Sequence, residues 1–148
     1  MKPFHLYIFS LFSIAFTGCV EEERMCCGLR ETDVLSGSWL LYESGYSPGG
    51  SEYITVDVPS EPAQIITFNA GKVESSVEGF KEVKYYSVLM DTTLHTPYLA
   101  LYTENPDQVD TPDPASTYLF SATDAQLQLH FRWCIEGCHS AFKKIDNN

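Results

Sequence analysis

Positive charge is scarce in this sequence: 9 Lys and Arg stand against 20 Asp and Glu, a formal net charge of −11. Such a balance repels phosphate backbones and argues against nucleic acid as a partner. Catalytic signatures are missing too. There is no Gly-x-Ser-x-Gly, no zinc-protease motif and no Gly-rich loop able to cradle a phosphate. His95 stands alone in a loop, where it reads as a surface residue rather than a base. The expectation is a protein that is not an enzyme and needs no cofactor. No segment holds a helical period beyond a few turns, no unit repeats, and nothing marks a second domain. The apolar run from Tyr7 to Phe16 is too short to cross a bilayer as a helix.

That run has another use. It follows Met1-Lys2 and leads into Phe16-Thr17-Gly18-Cys19, the layout of a secretory signal peptide over residues 1–18. Small residues ahead of a Cys resemble the lipobox of bacterial lipoproteins, with Phe16 in place of the usual Leu. Cys19 is then the acylated mature N-terminus, and palmitate-like chains on it anchor the protein, each buried CH₂ contributing about 0.8 kcal/mol. Removing the signal takes Lys2 and no acid, leaving 130 residues with 8 basic against 20 acidic, a net −12. That is enough chain for one domain with a real core. Residues 19–34 form a tether whose Glu21-Glu22-Glu23 run is either a surface-export signal or a solvated linker. Val20 in place of Asp omits the usual inner-membrane retention signal, so the expected address is the outer membrane, facing the periplasm or the cell surface.

Four further cysteines, Cys26, Cys27, Cys134 and Cys138, point to disulfides in an exported chain. The preferred pairing ties Cys26 and Cys27 to Cys134 and Cys138, linking the tether to the last hairpin. The rival is a local Cys134–Cys138 bridge. His130, Cys134, Cys138 and His139 could also be written as a zinc set, but oxidation of the thiols is the stronger reading, so no metal is expected. Asp107, Asp110 and Asp113 lack the spacing of a calcium loop and, among Pro106, Pro112 and Pro114, read as a solvated turn.

From residue 35 onward the chain is punctuated by Gly, Pro, Asn and Asp into about eight short strand-like runs, the pattern of a meander or barrel. Leu35-x-Gly37-x-Trp39-x-Leu41 opens the first, predicted over Trp39 to Tyr42. A long connection, Glu43 to Gln64, then holds an edge strand at Tyr53 to Val58 and suggests a lid. Hairpins follow at 65–76, 85–102 and 117–131, with a Pro- and Asp-rich loop at 104–116, and the last strand is Ala141 to Ile145. In 126–131 the alternation is strict: Leu127, Leu129 and Phe131 face one way, Gln126, Gln128 and His130 the other. Tyr46 and Tyr53, on the lid, are the candidates for the mouth of a binding site.

Taken in order, the lipobox Cys, Cys26-Cys27, Gly37-x-Trp39, Ser47-Pro48-Gly49-Gly50, Ile66-Thr67-Phe68-Asn69-x-Gly71 and Cys134-Ile135-Glu136-Gly137-Cys138 with Phe142 and Lys143 resemble the lipocalin-like lipoproteins of Gram-negative bacteria. The resemblance implies an all-β, eight-stranded antiparallel meander barrel over residues 35–148. It also implies that Gly37 and Trp39 close one end under a basic side chain of the last strand, with Lys143 or Lys144 as the candidate and Lys143 preferred. The expected function is binding of a small apolar or amphipathic ligand by a non-catalytic envelope lipoprotein. The alternative is a filled barrel that docks another envelope protein.

Overall fold

The structure is a computed structural model that describes residues 34–49, 52–134 and 137–145. Cys19, Cys26, Cys27 and the rest of the signal and tether through residue 33 lie outside the described residues. Among the described residues nine strands follow one another: β1 Gly37–Tyr46, β2 Ile54–Asp57, β3 Ile65–Asn69, β4 Lys72–Ser75, β5 Tyr85–Asp91, β6 Thr96–Tyr102, β7 Ser116–Ala122, β8 Gln126–Phe131 and β9 His139–Ile145. All pairings are antiparallel, and β1 pairs with β9, so β1 and β3 through β9 close an eight-stranded meander barrel. Closure abolishes the sheet edge along this circuit.

Local chemistry fixes the corners. Asn69-Ala70-Gly71-Lys72 turns β3 into β4, with both central residues at positive φ, Ala70 at 47° and Gly71 at 80°. This left-handed pair matches the twist of the two strands. Between β7 and β8, the Thr123 hydroxyl accepts the Gln126 N–H at 3.0 Å. After β5, Asp91 accepts the N–H groups of Thr93 and Leu94 at 2.9 and 3.0 Å and the Arg132 guanidinium at 2.6 Å. Those backbone donors, and then Arg132, hold its carboxyl below the usual aspartate range. Arg132 also lies over the Tyr98 ring, 4.5 Å from its centre.

One apolar cluster fills the barrel. Trp39, Ile66, Phe68, Leu99, Leu101, Leu129 and Phe142 are fully buried, and Tyr86, Val73, Phe80 and Leu127 pack with them. Phe68 meets Tyr86 edge-on at 5.1 Å, and Phe80 meets Phe142 at 6.5 Å. Each large side chain so buried contributes roughly 1.5–3 kcal/mol. The period of two predicted over 126–131 is present: Leu127 and Leu129 are in the core while Gln126 and His130 are exposed. Phe131, on the inward side, is partly uncovered where β8 leaves the barrel.

Three expectations need correction. The first strand does not stop at Tyr42. It runs on to Tyr46 and folds back as β2, with Glu43 opposite Asp57 and Tyr46 opposite Ile54. The sequence hides this because the β1–β9 register shifts between Leu41 and Glu43. The bulge flips the alternation, so residues after it face opposite to what counting from Trp39 would give. Second, the basic residue at Trp39 is Lys144, whose Nζ sits 4.9 Å from the indole centre. Lys143 is exposed. The period of two decides between them: Phe142 points into the core, hence so does Lys144. Third, Cys134 and Cys138 are bonded to each other, not to the tether cysteines. The turn brings their Cα atoms to 5.6 Å, within disulfide reach. It is shaped by the Gly137 N–H on the Cys134 carbonyl at 3.1 Å and by Gly137 at φ 82°.

Candidate functional site

At the end of the barrel where β1 and β9 diverge from the core, a polar cluster sits on the outer face. Past the bulge, Glu43 and Gly45 project outward, and Gly45 lies directly opposite His139 at the start of β9. The His139 Nε2 is 2.9 Å from Glu43 Oε1, and its Nδ1 bonds the Tyr53 hydroxyl. A carboxylate only accepts, so Nε2 carries the proton and Nδ1 accepts from the phenol. The Tyr53 ring stacks on the imidazole at 5.7 Å and 14°. Gly45 is required for this arrangement, because a Cβ there would overlap both the His139 ring and the Tyr53 hydroxyl. His139 is thereby buried, 9% exposed, although it stands on the outer face.

The row continues around the barrel in register. His139 pairs with His130, His130 with Leu119, Leu119 with Tyr98, and Tyr98 with Leu89. The His130 and His139 rings are 5.8 Å apart. Partial desolvation against the sheet, and then the neighbouring His139, lowers the pKa of His130 below the imidazole norm. Burial and the Glu43 charge raise the pKa of Tyr53. That direction is the reverse of what a phenolate nucleophile needs, so the cluster is suited to holding Tyr53 as a hydrogen-bond donor.

The two tyrosines chosen from the sequence separate. Tyr53 lies over His139 on the outer face, whereas strand alternation puts Tyr46 on the opposite face, exposed at the barrel mouth. Gly37 and Trp39 both lie against Lys144. Gly37 has φ 119°, and its missing Cβ leaves room for the Lys144 chain, whose Cε would be 3.1 Å away. Trp39 donates Nε1–H to the Leu35 carbonyl at 2.7 Å. Of the four residues written as a zinc set, two are joined as the disulfide and His130 and His139 are ring neighbours, with Glu43 and Tyr53 taking both nitrogens of His139.

Among the described residues the surface carries clefts, two of which bear on the sequence reading. One of about 600 Å³ lies between the β3–β4 turn and β5, lined by Ser36, Asn69, Gly71, Tyr86 and Val88. It reflects sparse pairing of β4 with β5, which is confined to Lys72 opposite Tyr85 in the ladder. A smaller one, about 230 Å³, lies under the loop that carries Asp107, Asp110 and Asp113, against Tyr102 and Val109. Among the described residues, no group of three or more His, Cys, Asp or Glu is placed to hold a metal.

No family model, curated protein or solved structure matches the chain. Reasoning from sequence missed Glu43, Gly45 and His139 as a unit. No local signal joins them, because His139 meets Glu43 and Tyr53 only through the pairing of β9 with β1.

Proposed function

We propose that the chain is a non-catalytic envelope lipoprotein of lipocalin-like build, anchored through Cys19, whose filled barrel acts by docking another envelope protein with its outer surface. The observation that carries this reading is the core itself. Trp39, Ile66, Phe68, Leu99, Leu101, Leu129 and Phe142 occupy the axis at 0% exposure. An eight-stranded barrel is just wide enough to be filled in this way or to hold one small ligand. Exposed apolar groups on the outside support the same reading: Trp133 is 75% exposed beside the disulfide turn, and Leu119 and Leu89 stand on the outer row. Envelope location rests on the lipobox order and on a disulfide, which persists in oxidising compartments.

A second reading keeps the ligand. The 600 Å³ cleft, with Tyr86 and Val88 on its apolar side and Asn69 and Ser36 on its polar side, has the size of a small-molecule site. Native mass spectrometry of the mature protein, gently extracted from its own cells without reductant, decides between them. A mass equal to the chain plus the acyl groups on Cys19 is expected for the docking protein. A stoichiometric additional small molecule would replace docking by carriage.

A further inference from the structure

Among the described residues β2 is the one strand outside the closed circuit. Among the described residues it pairs with β1 alone. The strand that flanks β3, β4, ends at Ser75 opposite Ile66 and does not reach β2. The Val58 N–H bonds the Tyr42 carbonyl at 2.8 Å. Antiparallel ladders alternate between bonded and non-bonded pairs, so Val56 and Ile54 also turn their backbone groups toward β1. Thr55 and Asp57 turn theirs away, to the open side.

This edge is short, four residues, and carries no Lys, Pro or bulge. Natural sheets blunt free edges with Lys, Pro or bulges, yet Tyr53-Ile54-Thr55-Val56-Asp57 carries β-branched and aromatic residues, with Val56 and Tyr53 exposed, and its nearest Pro is Pro59. The edge is also preformed. The Tyr53–His139–Glu43 bonds pin the start of β2 to β9 across the gap left by Gly45, which lowers the ordering cost of adding a strand. Charge selects the partner. Between Arg30 and Lys72 the chain has Glu31, Asp33, Glu43, Glu52, Asp57 and Glu61 and no Lys or Arg. A second copy would bring the same acid-only stretch against the first.

From these observations we infer that the free edge of β2 binds an extended, basic segment of a partner protein, which adds to the sheet as a further strand. Main-chain bonds to Thr55 and Asp57 supply the attachment, and Glu52, Asp57 and Glu61 select Lys and Arg side chains. The inference rests on the docking reading above and names where and what it docks.

The test uses the full mature chain in detergent and two fluorescent peptides, one alternating Lys with Val and the other Glu with Val. The Lys peptide is expected to bind at least about tenfold more tightly, a difference that shrinks with added salt. On binding, the amides of Thr55 and Asp57 should gain protection from hydrogen exchange while that of Val56 is unchanged. Thr55→Pro should weaken binding roughly tenfold with the thermal midpoint retained, since it removes an open-side donor and no bond to β1. Asp57→Lys, an exposed change that takes the local charge from three acids to two acids and one base, should shrink the preference for the Lys peptide severalfold. Absence of binding, equal binding of both peptides, or protection elsewhere than Thr55 and Asp57 would overturn the inference, as would self-association that protects these amides without peptide. A bare protein in the native mass measurement together with any of those results leaves docking intact and moves it off β2. A bound small molecule removes the docking reading itself.

Discussion

β1 carries two glycines that make room for side chains of β9, and the two places differ in nearly every other respect. At Gly37 the space admits the Lys144 chain, which runs to the Trp39 indole on the core side. At Gly45 the space admits His139 and Tyr53 on the outer face. The first pair closes the barrel around a residue with no exposure; the second pins an appendage whose tyrosine is almost half exposed. The bulge between Leu41 and Glu43 separates them and turns one strand from a core element into a surface element. One device, a glycine under a neighbouring side chain, thus serves closure at one end and presentation at the other.

Substitutions should expose this difference in graded form. The largest effect is expected for Trp39→Ala, a loss of about 3–5 kcal/mol in denaturant unfolding, because it opens a cavity in the core and strands the Leu35 carbonyl. Gly45→Ala should cost about 1–3 kcal/mol, since the Cβ must displace His139 or Tyr53. Its signature is a shifted His139 imidazole resonance in NMR with an unchanged core spectrum. An intact His139 resonance would show that the glycine is not what seats the cluster. Lys144→Met should cost roughly 0.5–2 kcal/mol through the lost contact with the indole, and Lys143→Met should fall within about 0.5 kcal/mol of zero. Equal losses at the two positions would undo the assignment of Lys144 to Trp39.

The smallest expected effect is a pH slope. His130 has its pKa lowered by partial desolvation and by His139, so the unfolded chain takes up that proton first. Its contribution to stability is present above the ordinary imidazole value of 6.5 and is lost as pH falls from there toward the lower folded value. His130→Gln should therefore flatten the fall in thermal midpoint between about pH 7.5 and about pH 5. An unchanged slope would show that His130 does not carry the acid sensitivity.

Much of the closing end was legible in the sequence. Gly37-x-Trp39-x-Leu41, the Asn69-Ala70-Gly71 turn and the alternation of 126–131 each announce their structure through local rules: a positive φ, a two-residue turn, a period of two. Each of the nine described strands follows from such a run, β1 only as far as Tyr42. The presenting end was not legible, for physical reasons. A bulge changes the parity of a strand without leaving any residue type as its mark, so Glu43 to Tyr46 passed for loop and Tyr53 for a neighbour of Tyr46. His139 acquires its partners from β1 and from the lead-in to β2, segments distant in sequence, and no spacing rule joins them. The disulfide posed a similar difficulty, because Cys counts limit the pairings without choosing one. The choice came from the tight Cys134–Cys138 turn, where Gly137 takes a conformation that other residues resist.

The exposure contrast between the two tryptophans has a spectroscopic consequence. The chain has Trp39 and Trp133 and no other. One is sealed in the core with its N–H bonded, and the other stands 75% exposed beside the disulfide turn. Their emission should divide into a blue component that aqueous iodide cannot reach and a red component that it quenches. The blue component reports barrel integrity and the red one reports the surface around the turn. Unfolding and surface association can then be followed separately in one cuvette, with no added label.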